Sequence, residues 1–290
     1  METFIASVVS VAFHGLAYGM VLYAISVGLS ITMGLMGFVN LAHGVFAMAG
    51  GYLVITAMAW LGLPWLPALI LSCLAVAVAS TMLERWLYAR FYGASELEQV
   101  LFTMGLIFAA VALARLAYGP LPHAATLPPM LKGQIELAGR AFPTYRVFVI
   151  ITSAVLVALL WIGLERTRWG AMVRAAVDNR GMAQSIGIHT SRLFTLTFAV
   201  GSGLAALGGA LGSDLIPMTP TYPFEQLVYF LIVVSIGGTG TLRGPFVGAL
   251  LIGVGDTACK YWLPEFGSFF IYAATFGILL WRPHGMLGRA

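Results

Sequence analysis

The sequence has very little charge, and its first third has almost none. Only 9% of the 290 residues are charged, whereas 60% are hydrophobic. No Asp, Glu, Lys or Arg occurs from Thr3 to Leu83, and such a gap excludes a soluble domain. At about 20 residues per membrane crossing, the gap has room for three transmembrane helices. We therefore predict that residues 1–290 form one all-α, polytopic membrane bundle.

Cysteine is almost absent as well. Cys73 and Cys259 both fall in apolar segments with no partner at ligand spacing, which excludes a disulfide framework and argues against a metal site. The net charge of +4 comes from dispersed loop arginines, so nucleic acid is not an expected partner. The apolar start has no basic segment and no cleavage site, so we interpret it as a retained first helix.

Motifs for energy conversion and hydrolysis are missing. The sequence has no G-x-x-x-x-G-K-[ST], so we expect that the chain does not hydrolyse ATP by itself. It also has no G-x-S-x-G and no H-E-x-x-H, which argues against an intramembrane enzyme. We predict a non-catalytic protein without a cofactor of its own.

Apolar runs predict nine helical segments, within a range of eight to ten. They cover residues 4–31, 44–61, 67–83, 100–117, 147–164, 193–213, 226–237, 244–257 and 267–281. With the N-terminus outside, ten of the fifteen Lys and Arg residues fall on the inner side. Because basic residues collect in cytoplasmic loops, we predict a periplasmic N-terminus and a cytoplasmic C-terminus.

Proline collects in two loops on the predicted outer side. One loop contains five prolines between Pro120 and Pro143, and the other contains Pro217, Pro220 and Pro223. Proline fixes φ and removes a backbone donor, so these loops are predicted to be stiff and to have little regular structure.

A polar loop over residues 165–192 separates two uncharged apolar runs and includes five arginines. Within it we predict a two-turn helix that Asp178 caps and that ends at Gly187. Met182 and Ile186 then share one face. The residues of this predicted docking helix are Asp178, Asn179, Arg180, Met182, Ala183, Ser185, Ile186 and Gly187. A groove on another protein is its expected partner; the alternative is that the helix folds back on its own membrane domain.

An internal repeat appears when the sequence is shifted by 200 residues. Gly37, His43, Gly44, Phe46 and Pro64 then coincide with Gly237, Arg243, Gly244, Phe246 and Pro264. The copies are six crossings apart, so they are predicted to share one orientation, as a parallel repeat. Chance similarity between glycine-rich helices is the alternative.

Both copies of the repeat interrupt their apolar runs with glycine and polar residues, which predicts broken helices. Broken transmembrane helices line cavities or are buried in protein, because their freed backbone groups need partners. The residues predicted to line a transport path are Asn40, His43, Gly44, Gly237, Gly238 and Thr239. The alternative is that Asn40 and His43 only satisfy freed backbone groups.

Three segments together resemble one family. GLMGFVNLAHGVFAMAGGYL, RWGAMVRAAVDNRGMAQSIGI and GGTGTLRGPFVGALLIG are similar, in this order, to the permeases of bacterial high-affinity branched-chain amino acid ABC importers, of the LivH type. The resemblance implies an inner-membrane permease that works with a second, LivM-like permease, two cytoplasmic ATPase subunits that bind ATP, and a periplasmic binding protein.

The resemblance also implies that residues 178–187 are the coupling helix that contacts the ATPase. Other ABC importers have Glu-Ala-Ala where this chain has Arg174, Ala175 and Ala176, so a contact of that glutamate is not transferred. Branched-chain amino acids are the expected substrate; urea, short amides and aromatic acids are alternatives within the same family. A secondary transporter is less favoured, because the apolar segments offer almost no ionisable residue besides Asp256.

Overall fold

The computed structural model describes residues 2–137, 140–282 and 285–287, and over these residues the chain is an α-helical bundle. The predicted cytoplasmic C-terminus, residues 288–290, lies outside the described residues. The helices are α1 (Glu2–Met36), α2 (His43–Leu61), α3 (Trp65–Trp86), α4 (Glu96–Tyr118), α5 (Thr144–Arg166), α6 (Arg168–Asp178), α7 (Arg180–Ser185), α8 (Thr190–Gly212), α9 (Tyr222–Gly237), α10 (Arg243–Trp262) and α11 (Gly267–Trp281).

The predicted all-α membrane bundle is confirmed. Helices α1–α5 and α8 are long and apolar enough to cross a membrane, while α9 and the apolar part of α11 are shorter. The nine predicted segments correspond to α1–α5 and α8–α11. Helix α1 continues to Met36 because the first residue with a positive φ is Gly37, at 60°. Helix α9 starts earlier than predicted, at Tyr222, because Pro223 favours the first turn of a helix.

The expectation of little regular structure in the outer loops is wrong for one of them. Strands β1 (Gln134–Leu137) and β2 (Arg140–Pro143) pair as an antiparallel hairpin. The buried Phe142 ring lies 4.4 Å from the Phe13 ring of α1, which anchors the hairpin on the bundle. We call this end of the bundle the hairpin side, and the end with α6 and α7 the loop-helix side.

Helix α8 lies at the centre, packed against α1, α2 and α3. Small residues at every fourth position along α8 allow this close packing. Gly201 lies against Gly28 of α1, and a Cβ on Gly209 would overlap the backbone of Ala47 in α2. A similar contact joins α1 to α10, where a Cβ on Gly253 would stand 2.5 Å from the Cα of Gly19.

The helix boundaries reproduce the 200-residue offset of the repeat. Helix α2 begins at His43 and α10 at Arg243, and the helices before them end at Met36 and Gly237. Both α2 and α10 run towards the hairpin side. After α2, Trp65 packs on Tyr145 at the start of α5, and α10 reaches the half of α1 that holds the hairpin. The common direction is what a parallel repeat requires.

Candidate functional site

The loop of residues 167–189 contains two helices rather than one. Helix α6 is capped by Thr167, whose Oγ1 accepts a hydrogen bond from the Gly170 amide at 3.1 Å. It packs along the end of α5, where Gly170 lies on the backbone of Leu164. Val173 and Ala176 are buried. The signal for α6 was the apolar spacing of residues 170, 173 and 176, which our sequence analysis missed.

The prediction that Asp178 caps the docking helix is wrong. Asp178 is the last residue of α6, and the cap of α7 is Asn179, whose Oδ1 accepts a hydrogen bond from the Met182 amide at 2.9 Å. Asn179 has the extended backbone that an N-cap requires, whereas Asp178 is still helical. Gly187 does end the helix, with a φ of 88° and a 3.0 Å hydrogen bond from the Ile188 amide to the Ala183 carbonyl.

Helix α7 has one anchored side and one exposed side. Ala183 is buried, Gln184 donates to Thr190 Oγ1 at 2.8 Å, and Arg180 lies 4.6 Å from the centre of the Phe194 ring. Met182 and Ile186 are 63% and 68% exposed. The helix therefore does contact its own membrane domain, yet it leaves its large apolar side chains uncovered.

A buried carboxylate lies close to this anchor. Glu84 of α3 is 3% exposed and accepts hydrogen bonds from the Tyr92 hydroxyl and, at 2.8 Å, from Thr195 Oγ1. Burial, and secondarily the bond to Glu84, raises the pKa of Tyr92, so that its hydroxyl remains a donor. Tyr92 also meets Phe194, the ring under Arg180. Sequence analysis missed this site; the signal was a glutamate at the end of an apolar run.

In the first broken segment, residues 37–42, every second residue is buried: Phe38, Asn40 and Ala42. Asn40 Oδ1 accepts a hydrogen bond from the Tyr88 hydroxyl at 3.2 Å, and its buried Nδ2 has no partner among the described residues. His43 Nε2 lies 3.0 Å from the carbonyl oxygen of Ile25, so this nitrogen is the protonated one. Gly44 lies against Pro223 of α9. His43 therefore contacts a backbone carbonyl, whereas the partner of Asn40 is a side-chain hydroxyl.

The second broken segment, residues 238–242, lines a cavity. The cavity has a volume of about 940 Å³, lies on the loop-helix side between α1, α5, α6, α9, α10 and α11, and includes Gly238 and Thr239. An ion pair of 2.9 Å between Arg243 and Glu165 stands at its edge. Gly237 packs instead on the start of α10, so tightly that a Cβ would overlap Gly244.

The six predicted path residues thus do not share one space. Asn40, His43 and Gly44 do not line the cavity that holds Gly238 and Thr239. Their part in transport stays a prediction. Asp256 and Lys260 of α10 form an ion pair of 2.7 Å.

Long apolar helices around a glycine-packed centre, broken helices in a parallel repeat and an exposed helix between two spans define a multi-pass membrane permease. The family described as branched-chain amino acid transport system, permease component, matches residues 11–279, and the chain belongs to this family.

Two relatives are similar over nearly their whole length. The chain is 27% identical to the high-affinity branched-chain amino acid transport system permease protein BraD of Pseudomonas aeruginosa, over 95% of this chain and 94% of BraD. It is 27% identical to the corresponding permease LivH of Salmonella typhimurium, over 96% and 94%. The fructose import permease FrcC of Rhizobium meliloti is 33% identical, over only 42% of this chain and 35% of FrcC. No solved structure matches the chain.

Proposed function

We propose that this chain is the membrane subunit of an ATP-driven importer and that α7 is its coupling helix. Membership of the permease family supports the class of protein. The observation that carries the assignment of α7 is the exposed pair Met182 and Ile186 on a helix that is otherwise held to the bundle. Exposed apolar side chains on a helix outside the membrane fit a groove in a partner protein.

The proposed substrates are leucine, isoleucine and valine, or other small neutral amino acids. The names of BraD and LivH support this choice. The local similarity to a fructose permease favours the interpretation that one fold can transport several kinds of solute. Urea, short amides and aromatic acids are therefore the alternative substrates. A secondary transporter is the less favoured class.

The proposed partners are a LivM-like permease, two cytoplasmic ATPase subunits and a periplasmic binding protein. The proposed location is a bacterial inner membrane, with the hairpin side periplasmic and the loop-helix side cytoplasmic. In this orientation α6 and α7 face the ATPases, and the hairpin faces the binding protein. The subunit itself binds no nucleotide; ATP is hydrolysed by its partners.

Uptake by the reconstituted complex tests this function. The four membrane and ATPase subunits are placed in liposomes with ATP inside, and radiolabelled leucine is added with the binding protein outside. We expect uptake that requires both ATP and the binding protein, and no ATPase activity from the isolated chain. Uptake without ATP that follows an imposed ion gradient would assign the chain to the secondary transporters.

A further inference from the structure

Polar side chains meet inside the bundle where α1, α9 and α10 come together. Tyr222, Gln226 and Tyr229 lie three to four residues apart, so they share one face of α9. The Tyr229 ring lies 6.3 Å from the ring of Tyr18 in α1. Tyr18 is also close enough to interact electrostatically with Asp256 and Tyr222. The face of α9 therefore points at Tyr18 and at the acidic residue of α10.

Three polar atoms of this cluster are buried and lack a partner within the described part of the chain. They are Asp256 Oδ1, Gln226 Oε1 and the Tyr222 hydroxyl. The side chain of Asp256 is only 3% exposed, and its other oxygen, Oδ2, is bound to Lys260. Burying unpaired polar atoms is costly, so a ligand that donates hydrogen bonds to these atoms would be stabilised there.

The chemistry of the cluster fits the polar end of an amino acid. A carboxylate and an amide oxygen accept hydrogen bonds, which an ammonium group donates in three directions. The positive group of Lys260, whose side chain is 51% exposed, lies 2.7 Å from the same carboxylate. Asp256 and Lys260 together are neutral, as is a zwitterion. An anion would pair with Lys260 and leave the Asp256 carboxylate without a counterpart.

We propose that Tyr222, Gln226 and Asp256 form a binding site for the ammonium group of an amino acid in transit, and that Lys260 lies next to the carboxylate of that amino acid. This inference rests on the proposed function. The three atoms are closed off in the present conformation, so the substrate reaches them when α9 moves relative to α1 and α10. The site lies towards the hairpin side, because α10 meets the first half of α1 there through Gly253 and Gly19.

Uptake by single variants of the reconstituted complex tests the site. Tyr222→Phe and Gln226→Met remove unpaired polar atoms at nearly constant volume, and Asp256→Asn removes the charge. We expect each to lower leucine uptake at least tenfold while the complex still assembles with its ATPase subunits. Thr257→Val is the matched control: its hydroxyl is already bound to the Gly253 carbonyl at 2.7 Å, so uptake should stay near that of the wild type.

A double variant separates binding from a structural ion pair. Asp256→Asn with Lys260→Met leaves no lone charge, so full recovery of uptake would assign the pair a structural role and overturn the site. Normal uptake by both Tyr222→Phe and Gln226→Met would also overturn it. If the wild-type complex itself takes up no leucine, isoleucine or valine, the proposed function fails, and the site proposed for their ammonium group fails with it.

Discussion

Gly201 of α8 lies directly on Gly28 of α1: a Cβ on Gly201 would stand 3.0 Å from the carbonyl oxygen of Gly28. Such a distance leaves no room for a branched side chain. At this contact the centre of the bundle therefore requires glycine, which has only a hydrogen atom in place of a side chain.

We predict that Gly201→Val destabilises the bundle by about 1–3 kcal/mol, the usual cost of overpacking. The control is Gly105→Val in α4, where a Cβ would meet nothing within 4 Å. Thermal unfolding of the two purified variants in the same detergent gives the comparison. Equal unfolding midpoints would contradict the tight contact between α1 and α8.

We predict that Ile186→Asp releases the ATPase subunits and abolishes uptake. A carboxylate buried without a partner in the groove of an ATPase costs on the order of several kcal/mol. Gln184→Glu is the control, because it adds the same charge on the opposite side of α7, where a carboxylate oxygen in place of the donating amide nitrogen can accept from the Thr190 hydroxyl. Retention of ATPase subunits and leucine uptake are measured at matched expression; normal uptake by Ile186→Asp would exclude α7 as the coupling helix.

We predict that a membrane-impermeant thiol reagent labels Thr126→Cys in whole cells but not Ser185→Cys. Both positions are exposed on the protein, on the hairpin side and the loop-helix side respectively. The native Cys73 and Cys259 are first replaced by alanine, since both are partly accessible. Labelling of Ser185→Cys alone would invert the proposed orientation.

We predict that Glu84→Leu destabilises the protein more than Glu84→Gln. The leucine leaves the hydroxyl of Tyr92 without its buried acceptor, at about 1–3 kcal/mol, whereas the glutamine keeps one acceptor oxygen. Thr195 keeps an acceptor in both variants, because its hydroxyl also lies 3.2 Å from the Ser191 carbonyl oxygen. Adding Tyr92→Phe to Glu84→Leu should restore part of the loss. Unfolding midpoints of the three variants check this order, and a double variant with no recovery would contradict the bond between Glu84 and Tyr92.

The sequence predicts those parts of the fold that depend on whether a segment lies in lipid or in water. Membrane segments and the interrupted repeat follow from hydropathy and from the positions of glycine. The sequence does not predict whether Asp178 or Asn179 caps α7. Both residue types cap helices well, and only the turn between α6 and α7 decides between them. The partners of His43 and Glu84 lie in helices distant in sequence, so neither contact can be read from a local pattern.

Helix α1 meets α8 through Gly28 and Gly201, and meets α10 through Gly19 and Gly253. At both crossings backbone lies on backbone: a Cβ on Gly19 would stand 2.8 Å from the Ala249 carbonyl oxygen, and one on Gly28 would overlap the backbone of Gly201. Helix α1 therefore has two positions, 19 and 28, at which any side chain would push a neighbouring helix outwards. These two glycines set the distance of α1 from α8 and from α10.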